Sequence, residues 1–189
     1  MDRQHICEMI TRIANRMLSE RVAIDTAAVR KIIVNHKEWY LSFWGRSGER
    51  ANFTGMTLGG IDLEGVFFPR AIFSFAYLGY ANLSGAHLQK ADFRDAVCIG
   101  ASFAHADCRK AYFYFADLYN VDFTDANLAD ADLRKADMEN SILNDTNLRG
   151  ADLRGARLLR ATVSGKALSV VAANGWIVED GIVTGYNGS

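Results

Sequence analysis

Residues 126–136 read Ala126-Asn-Leu-Ala-Asp-Ala-Asp-Leu-Arg-Lys-Ala136, two units of five residues and the start of a third. Carried outward in both directions, the same beat runs unbroken from Ala51 to Gly165, 23 pentads in all. The central residue is Leu or Phe in 19 of the 23, and the exceptions, Cys98, Cys108, Met138 and Val163, are also apolar. Two places before the centre stands Ala, in 17 pentads, and between them Asp or Asn, in 12. A helix repeats every 3.6 residues and a strand every 2, so neither alone accepts a period of five. Ala and the centre, two apart, point to the same side of an extended segment. The remaining residues must then turn a corner, so that the next pair also faces inward. Repeated corners wind the chain into a coil whose narrow interior holds each Leu or Phe beside a small Ala. The short Asp and Asn side chains bond readily to nearby backbone groups in turns.

This A(D/N)LxxA pattern resembles the pentapeptide repeat family over about 60% of the chain. The resemblance implies an all-β solenoid, a right-handed quadrilateral β-helix with four pentads per coil. Residue n then lies beneath residue n + 20, and the repeats make about 5.75 coils. With about 4.8 Å between stacked strands, the tower stands roughly 27 Å tall. Hexapeptide acyltransferases also wind β-helices, but their period is six, so unbroken fives argue against that enzyme class.

Three segments are expected: an N-terminal two-helix cap (1–50), the β-helix (51–165) and a C-terminal cap of short helix and hairpin (166–189). The caps answer a physical need, because open coil ends expose unpaired backbone that recruits other chains. Ile6, Ile10, Ile13 and Met17 describe one face of a first helix. Asp25 is placed to N-cap a second, with Val29, Ile32, Ile33, His36, Tyr40 and Phe43 on its inner face. Trp39 and Trp44 fall where that helix meets the first coil. Arg3, Arg12, Arg16 and Arg21 raise a membrane-surface reading, but Glu8 and Glu20 interrupt the basic face and favour capping. The helices could close the coil mouth or lie against a wall. After Lys166, residues Ala167 to Asn174 are expected to form a short helix stopped by Gly175. Trp176 to Thr184 reads as a hairpin turning at Asp180-Gly181. In gyrase-binding relatives the C-terminal end carries dimer contacts, so this tail is a candidate for both lid and homodimer.

With 21 basic and 22 acidic residues, no global field steers the chain to nucleic acid or membrane. No apolar run is long enough to span a bilayer, and no secretion signal is recognised. Cys98 and Cys108 are centres ten apart, on opposite walls and too far apart for a disulfide. With Cys7 solitary, three unpaired thiols suit a bacterial cytoplasm.

Given the implied 20-residue coil, outward residues sort by wall. The Leu63 wall carries Asp62, Glu64, Asp122, Asp125 and Asp145 without Lys or Arg, a net charge of −5. The Phe68 wall comes to +3. Some family members mimic duplex DNA and act on DNA gyrase, and the acidic wall is the surface that would serve here. A duplex-sized mimic needs on the order of 16 charges over roughly 27 Å, and the wall offers far fewer. The more unusual feature is apolar. Ile72, Phe75, Tyr112, Tyr114 and Phe115 project from the Phe53 wall, and Tyr77, Tyr80, Val97, Ile99 and Tyr119 from the adjoining Leu58 wall. All ten should form one patch across a shared corner, large for a solvent-exposed surface and rich in interface anchors. Aromatic ladders that only stabilise the sheet are the bland alternative.

His5, His36, His87 and His105 are scattered, and no Cys/His spacing fits a metal site. Nucleophile and phosphate-loop signatures are lacking. The sequence thus points to a non-enzymatic scaffold without cofactor, binding another protein or a second copy through the aromatic patch. A topoisomerase-directed DNA mimic is the alternative, and an enzyme of unknown type a remote third.

Overall fold

A computed structural model describes residues 26–41 and 48–187. The first expected helix, the Asp25 cap, and Phe43 and Trp44 lie outside the described residues, as does the Tyr40 side chain.

Helix α1 (Thr26–Leu41) is followed by the repeats. Parallel bridges tie each strand position to the one 20 residues on: Asn52 to Ile72, Thr57 to Tyr77, Asp62 to Asn82, Phe67 to His87, and so on to Asp137 with Arg157. Two bridging stretches are long enough to be strands, β1 (Ile142–Asn144) and β2 (Thr162–Ser164), paired in the same register.

The pentad 91–95 shows why the repeat has its composition. Asp92 N–H donates to the Ala71 carbonyl in the coil before (2.9 Å), while Phe93 and Asp95 donate to Tyr112 and Tyr114 in the coil after (2.7 and 3.1 Å). Ala91 N–H closes the corner onto the Leu88 carbonyl (2.9 Å). The fifth amide, that of Arg94, has no backbone acceptor and donates to the Asp92 carboxylate at 3.1 Å. Asp or Asn at that position therefore completes the hydrogen bonding of its own corner. Asp62, Asn82, Asp107, Asp122, Asn127, Asp132, Asn147 and Asp152 repeat the contact.

Every fifth residue from Gly55 to Gly165 turns the corner in the left-handed region, with φ between 53° and 72°. Gly, Asn, Asp and other polar residues fill most of these sites. Phe75, Tyr80 and Phe115 do so as well, at φ 60°, 59° and 57°.

Inside, the rings of Phe53, Phe73, Phe93 and Phe113 stack in one column with centroids 4.8, 4.8 and 4.9 Å apart. That spacing matches the rise of the hydrogen-bonded strands, so backbone ladder and ring stack share one period. Phe103 and Phe123 form a second column and meet the first edge-to-face, at 5.5 to 6.0 Å.

At the N-terminal end, α1 buries Val29, Ile33 and His36 and packs Ile32 against the core. His36 Nδ1 accepts the Ala51 N–H at 2.9 Å, and its ring stacks on Trp39 and meets Phe68 edge-on, both at 5.3 Å. The contacts to Ala51 and Phe68 are to the first coil. At the other end, α2 (Gly165–Ala173) starts two residues earlier than expected, taking Gly165 as the last corner. Strands β3 (Trp176–Glu179) and β4 (Ile182–Tyr186) form the hairpin, which turns at Asp180-Gly181 with positive φ at both (50° and 76°) and runs two residues past Thr184. The sheet order is β1-β2-β4-β3, so β4 lies along the last coil. Arg160 and Val163 donate to Val183 and Gly181 carbonyls (2.8 and 2.7 Å), and Val183 donates back to Ala161 (2.9 Å).

Candidate protein-binding surface

All ten aromatic-patch residues lie on the outside of coils between Ile72 and Tyr119. Phe75 and Tyr80 are the most open, 64% and 71% exposed, and Tyr77, Tyr112, Phe115 and Tyr119 are exposed as well. Ile72, Val97, Ile99 and Tyr114 are half-buried. Tyr77 lies across Gly59 and Gly79, where any side chain would collide with its ring, and Tyr80 similarly covers Gly100. Tyr114 meets Phe115 edge-on at 4.5 Å, beneath the Arg134 guanidinium (5.2 Å) and beside Lys135 Nζ, which is 4.8 Å from the Phe115 ring.

The structure adds one correction of shape. The patch is not continuously apolar, because the coil between Ile72/Phe75 and Tyr112/Phe115 places Asp92, Arg94 and Asp95 outward. Arg94 grips Asp92 bidentately (2.9 and 2.6 Å). Burial works to raise the Asp92 carboxyl, but the Arg94 side chain and N–H outweigh it and hold it below the usual carboxylate range.

Seven of the ten residues occupy places where the repeat's backbone chemistry favours something else. Ile72, Tyr77, Val97 and Tyr112 stand where Asp or Asn would bond the amide two residues on, and they supply no oxygen for it. Phe75, Tyr80 and Phe115 stand at left-handed corners, which cost a side-chain-bearing L-residue about 1–2 kcal/mol each. Exposed rings at these positions run against the local backbone preference.

Two of the five acidic-wall carboxylates, Asp62 and Asp122, serve their own turns. Asp62 Oδ1 accepts the Glu64 N–H and the Asn82 amide (both 3.1 Å), and Asp122 accepts the Thr124 N–H and hydroxyl (2.9 and 2.6 Å). The Asp145 carboxylate lies over Gly165, at the start of α2, so closely that a side chain there would collide with it. Asp125 faces His105 Nδ1 at 3.8 Å. Sequence reasoning missed a further device: Asp-x-Arg within one pentad forms a clamp. Asp92/Arg94 recurs as Asp107/Arg109, Asp132/Arg134 and Asp152/Arg154, at 2.6 to 2.7 Å. On the basic wall the clamp pairs Arg109 with Asp107. Recurrence of Arg two places after Asp was the available signal.

Among the described residues no three His, Cys, Asp or Glu gather as a metal site, and no helix is long and apolar enough to cross a membrane. Cys98 and Cys108 are free and fully buried, and burial pushes both thiols well above their ordinary range. Neither should therefore react with an aromatic disulfide reagent in the native protein, whereas both should in denaturant; thiol titration checks this.

Coil on coil at a register of 20 residues defines the class as a β-solenoid. The family described as pentapeptide repeats matches in 8 copies, over residues 71–107, 91–130, 106–145 and 131–165. The chain belongs to the pentapeptide repeat family, which implies that the β-helix is right-handed. Among solved structures it is similar to the pentapeptide repeat protein Rfr23 of the cyanobacterium Cyanothece (21% identity, 61% of this chain and 88% of that one, TM-score 0.43). It is also similar to a pentapeptide repeat protein of the Arabidopsis thaliana thylakoid lumen (30%, 62% and 74%, TM-score 0.40). A third is QnrB1, a plasmid-mediated fluoroquinolone resistance protein (26%, 62% and 67%, TM-score 0.42). No curated protein matches the chain.

Proposed function

We propose that the protein is a non-catalytic scaffold that holds a protein partner on the aromatic patch. The supporting observation is the conflict just described, in which apolar residues replace turn-forming ones at seven outward sites, five of them exposed rings. In this reading the tower comprises 23 pentads in a quadrilateral β-helix (51–165), with residues 1–50 and 166–189 as caps. The seating of α1 on Ala51 and Phe68, and of the C-terminal hairpin on Ala161 and Val163, supports the capping roles. A gyrase-directed role through the acidic wall gains nothing from Asp62 and Asp122, whose carboxylates are engaged in turns.

Restoring the repeat's own chemistry tests the proposal. The pair Phe75→Asn and Tyr80→Asn relieves two left-handed corners, so stability should hold or rise, by up to on the order of 1 kcal/mol per site. Partner retention in affinity capture from the source organism should fall sharply. A lower melting temperature with unchanged retention would make the rings structural and end the proposal.

A further inference from the structure

We infer that the occupant of the aromatic patch is a second copy of this chain, two towers lying side by side; this rests on the protein-binding reading above. The area is of the right size. At about 200 Å² per ring, six roughly half-exposed rings offer on the order of 600 Å², and a standard interface needs about 800 Å² per partner. The half-buried Ile72, Val97, Ile99 and Tyr114 extend it toward that figure.

Shape and charge narrow the occupant. The patch wraps a corner, a convex shape that does not enclose a small ligand. The wall strands are already hydrogen-bonded to the coils on either side, which leaves no backbone edge there for an added peptide strand. Asp92, Asp95, Asp117 and Asp132 outnumber Arg94, Arg134 and Lys135 in and around it, so a polyanion finds no attracting field. What fits is another convex, mixed-charge aromatic surface of the same kind, ring against ring. This chain carries one. An antiparallel two-fold arrangement brings the Phe75 end of one copy to the Lys135 end of the other, setting ring against cation.

The test is the mass in solution of the full chain at tens of micromolar, by sedimentation equilibrium or light scattering. Wild type should be a dimer, and Phe75→Asn/Tyr80→Asn should raise the dissociation constant about tenfold or more. Its circular dichroism and melting point serve as the folding control. The pair Ile182→Ser/Tyr186→Ser, on the C-terminal hairpin, should leave the dimer intact. A monomeric wild type overturns the inference, and so does a dimer that dissolves only with the hairpin substitutions. In either case the protein-binding reading stands if Phe75→Asn/Tyr80→Asn still loses capture of other proteins, and falls if it does not.

Discussion

Replacing Phe93 with Ala should lower the unfolding free energy by about 3–5 kcal/mol, the largest single-site loss expected in this molecule. Phe93 sits in the middle of the ring column, between Phe73 and Phe113 at 4.8 and 4.9 Å, and edge-on to Phe103 at 5.5 Å. Its removal breaks stacking in both directions and leaves a void that the hydrogen-bonded coils above and below cannot close. Each strand is tied to its neighbours at a fixed rise, so the walls have little freedom to collapse inward. For a chain of this size the change should lower the melting temperature by about 10 °C. Phe93→Leu, the residue most other centres carry, should cost about 1 kcal/mol. Thermal unfolding of the two variants checks the claim, and equal losses would place the cost in the lost ring rather than in the void.

Acid should unseat the N-terminal helix. His36 is buried and its Nδ1 accepts the Ala51 N–H, so the ring is neutral with its proton on Nε2. Burial first, and the nearby Arg50 charge second, lower its pKa from 6.5 to about 4. Protonation would add a second donor facing Ala51 N–H, and Nε2 has no hydrogen-bond partner. The unfolded chain takes up the proton near pH 6.5, the folded chain only near 4. The stabilisation is therefore complete above pH 6.5 and is lost as pH falls toward 4, by about 3 kcal/mol in all. His36→Asn, which keeps an acceptor for Ala51, should be less stable at neutral pH but flat across that window. Chemical denaturation at a series of pH values measures both slopes. An Asn variant as acid-sensitive as wild type would place the effect on other groups.

The coil was legible because its cause is periodic: each pentad repeats the same accounting of five amides, and the sequence shows the Asp and Asn side chains that complete it. The inward face of α1 was legible too, since Val29, Ile33 and His36 follow helical spacing. What escaped the sequence depends on contacts between coils or across two residues of a turn. Nothing local to Asp145 tells that its carboxylate lies over Gly165, twenty residues away. The Asp-x-Arg clamps were readable only once the corner was known to fold those two side chains together. The same limit applied to the patch. Its ten residues could be assigned to walls, but the Asp92/Arg94 pair dividing it came into view only when consecutive coils were stacked.

The register of the bridges also governs how such a surface can evolve. Removing one pentad between Tyr80 and Tyr112 would satisfy every local rule of the repeat, yet rotate all later residues by a quarter turn. Tyr112, Tyr114 and Phe115 would then face a different side from Phe75. Growth or shrinkage within that stretch keeps the two halves aligned only in whole coils, so length there is inherited in steps of four pentads.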